Sequence, residues 1–241
     1  MANDELMVNE ELKDKLKPTG RDWAHTVVKA GISSIPIVGG AATELFSAIV
    51  TPPLSKRRDE WIESIGEGLK RLEAKFEGFK AEDLSQDEMF ITTVMHATQA
   101  AIRNHQEDKK EALRNAVLNA AVRSAPEEDL QLIFLNFIDS LAPWHIRILR
   151  FFENPREWGE KHNVKYPNWS MGSPGSVLEH AFAELSGRRE FYDQLVRDLS
   201  SKGLLGIDSL HTTMSEQGMF ASRTTAMGNQ FIRYITSPLK D

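Results

Sequence analysis

Apolar positions along the chain recur mostly at helical spacing. In "KRRDEWIESIGEGLKRLEAKFEGF" the residues Ile62, Ile65, Leu69, Leu72, Phe76 and Phe79 fall alternately three and four apart. That spacing predicts one face of a helix packed lengthwise on another. "SQDEMFITTVMHATQAAIRNHQ" opens with Ser85 and Glu88 at capping-box spacing and places Phe90, Val94, Ala97 and Ala101 on one side. "EDKKEALRNAVLNAAVRSA" turns Leu113, Val117, Ala120 and Ala121 inward. "PEEDLQLIFLNFIDSL" does the same with Leu130, Phe134, Phe137, Ile138 and Leu141. "PWHIRILRFF", "VLEHAFAEL", "REFYDQLVRDLSSKGLLG" and "TTAMGNQFIRYI" read as further helices, the third stopped by Gly203. "LLGIDSLHTTMSEQGMFASRTT" reads as a two-stranded hairpin, and "NPREWGEKHNVKYPNWSMGSPGS", residues 154–176, as a polar loop insertion rich in turn formers. The expected fold is therefore mainly α, with a small β-hairpin.

One run breaks the amphipathic pattern. "VVKAGISSIPIVGGAATELFSAIVTPP" is apolar on all sides, and a helix is expected from Ile35 to Val50. Ile35, Ile37, Val38, Leu45, Phe46, Ile49 and Val50 are its apolar contacts, for a protein core or for lipid. Pro52 and Pro53 should end or bend it. Lys29, Pro36 and Glu44 interrupt the run, and the helix after Pro36 spans less than the ~30 Å hydrocarbon core, so a resting transmembrane span is disfavoured. The resting place predicted for it is the centre of a bundle, from which it could be released. Lys56, Arg57 and Arg58 follow directly and are placed to meet anionic headgroups.

The expected organisation is two domains. Residues 1–124 form a helical bundle around the apolar helix. Residues 126–241 form a second domain, after a break at "SAPEED". The second half resembles the winged helix-turn-helix family over Pro126–Ile235. "APWHIRILRFF" resembles its early helix, "YDQLVRDLSSKGLL" its recognition helix, and "TTAMGNQFIRYI" the helix after the wing; the insertion departs from a compact winged helix. The resemblance implies nucleic-acid contacts at Arg188, Arg189, Arg197 and Lys202, with Arg223 near the wing. Glu190, Asp193 and Asp198 in the same segment oppose them. Over Trp23–Ser124, "AGISSIPIVGGAATELFSAIV" followed by "KRRDEWIESIGEGLKRLEAKF" is similar to HeLo-type and pseudokinase-executioner four-helix bundles. That similarity implies membrane permeabilisation in a cell-death or conflict system.

Composition narrows the chemistry. The 241 residues include no cysteine, which excludes disulfides, thiolate metal sites and a cysteine nucleophile. Acidic residues near the start argue against a secretion signal, so a cytoplasmic protein is expected, membrane-associated when active. The net charge of −6 is shared between two halves of which neither is basic, and this disfavours nucleic acid as a partner. None of the seven histidines makes a short metal-ligand spacing. There is no nucleophile elbow, dinucleotide fingerprint or Walker A loop, and Gly39–Gly40 sits in the apolar run. No catalytic residue, metal, cofactor or small-molecule substrate is expected; a protein partner or self-association is. The leading expectation is a non-enzymatic defence-type protein that perturbs membranes or binds a partner. The alternatives are a winged-helix DNA regulator with a dimerising bundle, and an interaction scaffold.

Overall fold

In a computed structural model of the chain, residues 41–239 are described, with side chains described from residue 48. Ile35, Ile37 and Val38 lie outside the described residues, as does the expected start of the apolar helix. Leu45 and Phe46 lie on a helical backbone, but their side chains are outside the description. The chain divides into two compact units, residues 1–56 and 57–241. The break expected at residues 124–126 falls inside the second.

Helix α1, Ala41–Lys75, is the first correction. It passes through Pro52 and Pro53 rather than ending there. Each proline removes a backbone donor from the helical ladder. Both are exposed, so water can reach the carbonyls that lose their partners. Farther along, the buried face is Trp61, Ile65, Gly68 and Leu72, so Ile65 and Leu72 of the predicted seam are buried and Trp61 and Gly68 join them. The expected stripe is shifted toward one side, because Trp61 turns inward and donates Nε1–H to Thr98 Oγ1 at 3.0 Å. Ile62 and Leu69 flank it, half-buried, and Phe76 lies beyond the helix end, exposed.

A 3₁₀ turn over Ala81–Gln86 carries Ser85, so the expected Ser85 cap is displaced. Asp87 caps α2, Glu88–Arg103, accepting the Phe90 N–H at 2.9 Å. Helix α3, Glu107–Ala121, pairs with α2, and α4, Glu128–Ser140, packs on both. Ala97, Ala100 and Ala101 on α2 and Ala112, Ala116 and Ala120 on α3 are buried. Small side chains let two helix axes approach closely. Lys109 is buried and donates Nζ–H to Asp139 O at 2.7 Å, near the end of α4.

Helix α5, Pro143–Glu153, is the hub of the C-terminal part. It buries Ile146, Ile148, Leu149, Phe151 and Phe152. The 154–176 segment is not simply a loop. Asn154 accepts the Glu157 N–H and opens α6, Pro155–Lys161, and Met171–Gly172 form strand β1. Helix α7, Pro174–Ala181, then precedes α8, Arg189–Ser201, which lies against α5. Gly203, at φ +71°, does stop α8: Gly203 N–H bonds Ser200 O and Leu204 N–H bonds Leu199 O, both at 2.9 Å.

The expected hairpin is only partly present. Leu205 and Thr224 bridge at its base, with Gly206 N–H on Arg223 O at 2.8 Å. Between them, strand β2, Met214–Ser215, pairs antiparallel with β1 instead, in the register Met171 to Ser215 and Gly172 to Met214. The short helix α9, Glu216–Met219, follows. Helix α10, Ala226–Tyr234, closes the unit on α5 and α3, and Phe231 and Tyr234 join Phe134 and Phe137 in one aromatic cluster. The architecture is mainly helical, with one small antiparallel pair.

Candidate functional site

Three regions hold the candidate functional residues. The first is the described end of the apolar run. Ile49 is 63% exposed and Val50 half-buried, and Ala48, Thr51, Pro52 and Pro53 are exposed. Among the described residues, the buried core begins at Trp61. The basic triplet beyond is engaged rather than loose. Arg58 donates Nε–H to Asp59 Oδ1 at 2.9 Å, Arg57 reaches Ile102 O at 3.5 Å, and Lys56 also has a partner. No single helix among the described residues is long and apolar enough to cross a membrane.

The second region is α8 and the loop after it. Arg189, Asp193 and Arg197 follow at intervals of four and share one face, with the carboxylate in the middle. Asp193 sits 3.6 Å from Arg189 Nε and is also bound by His211 Nε2 at 2.8 Å. Arg197 donates to Gln194 Oε1 at 2.9 Å. Arg188 lies 4.2 Å over the Phe191 ring, and Lys202 lies 4.9 Å over Phe137. Arg223 is half-buried and donates to Gly218 O at 2.6 Å, which holds the loop rather than facing outward. Asp198 is held by Gln194 and His145 at 2.7 and 3.3 Å. His145 Nδ1 accepts the Ala142 N–H, so Nε2 carries the proton toward Asp198. The predicted nucleic-acid residues are thus not gathered into one cationic face.

The third region went unrecognised in the sequence. A cleft of about 730 Å³ opens between α3, α5, α6 and the end of α10. Trp158 and His162 form one wall, ring on ring at 4.0 Å and 14°. His162 donates Nδ1–H to Trp158 O at 2.7 Å, which leaves Nε2 as an acceptor. Arg150 and Asn115 form another wall, and both donate to Ile235 O, at 3.2 and 3.0 Å. Arg150 Nε and Asn115 Oδ1 are buried and have no hydrogen-bond partner. A neighbouring cleft of about 430 Å³ shares Glu111, Arg150, Trp158 and His162.

Comparison with protein families, with curated proteins and with solved structures yields no match for this chain.

Two signals for the third region were present in the sequence. Asn154–Pro155 is a capping pair that starts a helix and sets Trp158 and His162 one turn apart. Asn115 and Asn119 are polar residues one turn apart inside the apolar run "LRNAVLNAA". What brings α6 to α3 is tertiary packing, which spacing does not encode. Among the described residues, no group of three His, Asp or Glu side chains is placed to hold a metal ion.

Proposed function

We propose that this chain is a non-enzymatic, membrane-perturbing protein of a bacterial-type defence system. The apolar segment up to Val50 is its working part. The unit of residues 57–241 is a winged-helix-type platform that contacts protein. The observation that carries the first half is the exposure of Ile49, at 63%, next to a core that, among the described residues, starts at Trp61. A large apolar side chain left outside the core is available to lipid or to a partner.

Element order supports the platform reading. Leaving aside α6, and β2 and α9 within the bridged segment, helix α5, strand β1, helices α7 and α8, the Leu205–Thr224 bridge and helix α10 come in the order of a winged helix. Asp193 between Arg189 and Arg197 lowers the positive potential of the helix that would face DNA, which favours protein over nucleic acid there.

The test is dye release from anionic liposomes by the intact chain and by residues 1–56. Release by either, abolished by Ile49→Asp, and in the intact chain kept by Ile133→Asp, is the expected result. Ile133 is a suitable control because it is also exposed, at 41%, on α4. No release by either, or equal release from the Ile49→Asp chain, overturns the reading.

A further inference from the structure

The outward side of α4 carries a second inference. We infer that it pairs with the same side of a second copy of this chain, α4 antiparallel to α4, about a two-fold axis at Ile133. The inference rests on the reading of residues 57–241 as a protein-contacting platform and names the partner.

The argument starts from apolar positions that the core does not use up. Helix α4 buries Gln131, Phe134, Leu135 and Ile138. Leu130, Ile133 and Phe137 follow three and four apart and so form a separate strip along the helix. Ile133 is 41% exposed, and Leu130 and Phe137 on either side of it are half-buried. Phe137 carries the strip to α10, where it lies 6.1 Å from the Phe231 ring; Met227, one turn before Phe231, is also half-buried. Single exposed apolar side chains are ordinary on a protein surface, but an aligned strip is the form that helix pairing uses.

Charge decides what covers the strip. At one end Glu127, Glu128 and Asp129 are exposed, and none of the three carboxylates has a partner among the described residues. At the other end Lys202 Nζ lies 4.9 Å over the Phe137 ring and has no carboxylate partner. Arg103 and Asp139 neutralise one another at 2.9 Å. The strip is thus negative at one end and positive at the other. The three carboxylates repel an anionic membrane or a nucleic acid, whereas an antiparallel second copy satisfies both ends at once. Asp129 and Phe137 each stand four residues from Ile133, in opposite directions. With Ile133 facing Ile133, Asp129 of each chain falls opposite Phe137 of the other, next to Lys202. The contact is self-complementary, as a two-fold interface requires.

Size sets the strength. The 13 residues of α4 make a helix about 20 Å long. One helix pair of that length buries less than the ~1,600 Å² of a standard interface, so a weak dimer is expected, with a dissociation constant of about 10–100 µM.

The experiment is sedimentation equilibrium of the full chain, without lipid, from about 5 to about 500 µM. A monomer–dimer equilibrium is expected. Ile133→Asp should weaken it at least about tenfold, and Ile49→Asp should leave it unchanged, because the apolar segment takes no part. Asp129→Lys sets cation against cation and Lys202→Glu sets carboxylate against carboxylate, and each should weaken the dimer about tenfold. Mixed one to one, the new lysine of one variant meets the new glutamate of the other while the second contact keeps its native pair, so the dimer should return. Mixing does not repair a folding defect, so this recovery reports the contact itself. A chain that stays monomeric throughout, a dimer undiminished by Ile133→Asp, a dimer lost in Ile49→Asp, or a mixture no stronger than its components each overturns the inference. None of these outcomes bears on dye release, or on the platform's contact with a different protein, so the readings fail separately.

Discussion

Asn119 shows how much one buried polar side chain can organise. It is 5% exposed, and its Nδ2 donates to Tyr234 O and Thr236 O, both at 2.8 Å. Its Oδ1 accepts the Ser124 hydroxyl at 2.9 Å. With Asn115 on Ile235 O, it supplies donors to the unpaired carbonyls at the end of α10. Asn119→Ala leaves those carbonyls buried and short of partners. It should lower stability by about 1–3 kcal/mol, read as a fall in the urea midpoint. The tyrosines make a second residue-scale test. All three are held protonated beyond the ordinary value of about 10. Burial pushes Tyr166 up to about 12. Burial raises Tyr192 further, helped by its hydrogen bond to Glu179 at 2.8 Å, and burial also raises Tyr234. The unfolded chain releases these protons near pH 10 and the folded chain does not. The stability linked to them is therefore complete below about pH 10 and is lost as pH rises toward 12 and above. An absorbance titration of tyrosinate should show the folded chain ionising later than the denatured chain. Coincident curves would refute this.

Two glycines separate close packing from plain helix propensity at the scale of elements. Helix α10 crosses the strand-like segment at Leu204 so closely that a Cβ on Gly228 would lie 2.2 Å from Leu204 O. A backbone carbonyl cannot move aside as a side chain can. Gly228→Ala should cost about 1–3 kcal/mol. Gly66, in the middle of α1, has nothing within 4 Å of its added Cβ. Gly66→Ala should stabilise by about 0.5–1 kcal/mol, because only helix propensity changes. Thermal unfolding of the pair gives opposite shifts if this account holds. The elements also show where pattern reading succeeds. The apolar faces of α2, α3 and α4 and the glycine stop at Gly203 follow from local spacing and backbone preference. The face of α1 follows only in part, at Ile65 and Leu72, because Trp61 and Gly68 reach inward only once α2 and α3 are present to receive them. A Cβ on Gly68 would meet Leu118 at 2.8 Å, which is how closely α3 approaches.

For the whole molecule, the division at residues 56 and 57 makes a direct prediction. Residues 57–241 expressed alone should unfold cooperatively, with a midpoint within a few degrees of that of the full chain. A fragment cut at 124 should not, since α4 packs on α2 and α3, and α10 on α3. Calorimetry of the two fragments checks this. A stable 1–124 fragment with an unstable 57–241 fragment would reverse the domain assignment. The candidate sites belong to this scale too. The arginines of α8 and the opposing Asp193 could be named from the sequence, but not that Asp193 is also bound by His211 Nε2 and that Arg223 turns inward to Gly218 O.

The sequence by itself determined the helical class, most inward faces, the stop of α8 and the absence of cysteine chemistry. Those depend on composition and on relations between residues a few positions apart. Only the tertiary structure decided the inward turn of Trp61 on α1, the pairing of β2 with β1, and the cleft where Asn115, Arg150, Trp158 and His162 meet. Each of these sets a local preference against contacts between residues distant in the chain. The sum of those contacts, which no short window of sequence contains, fixes the outcome.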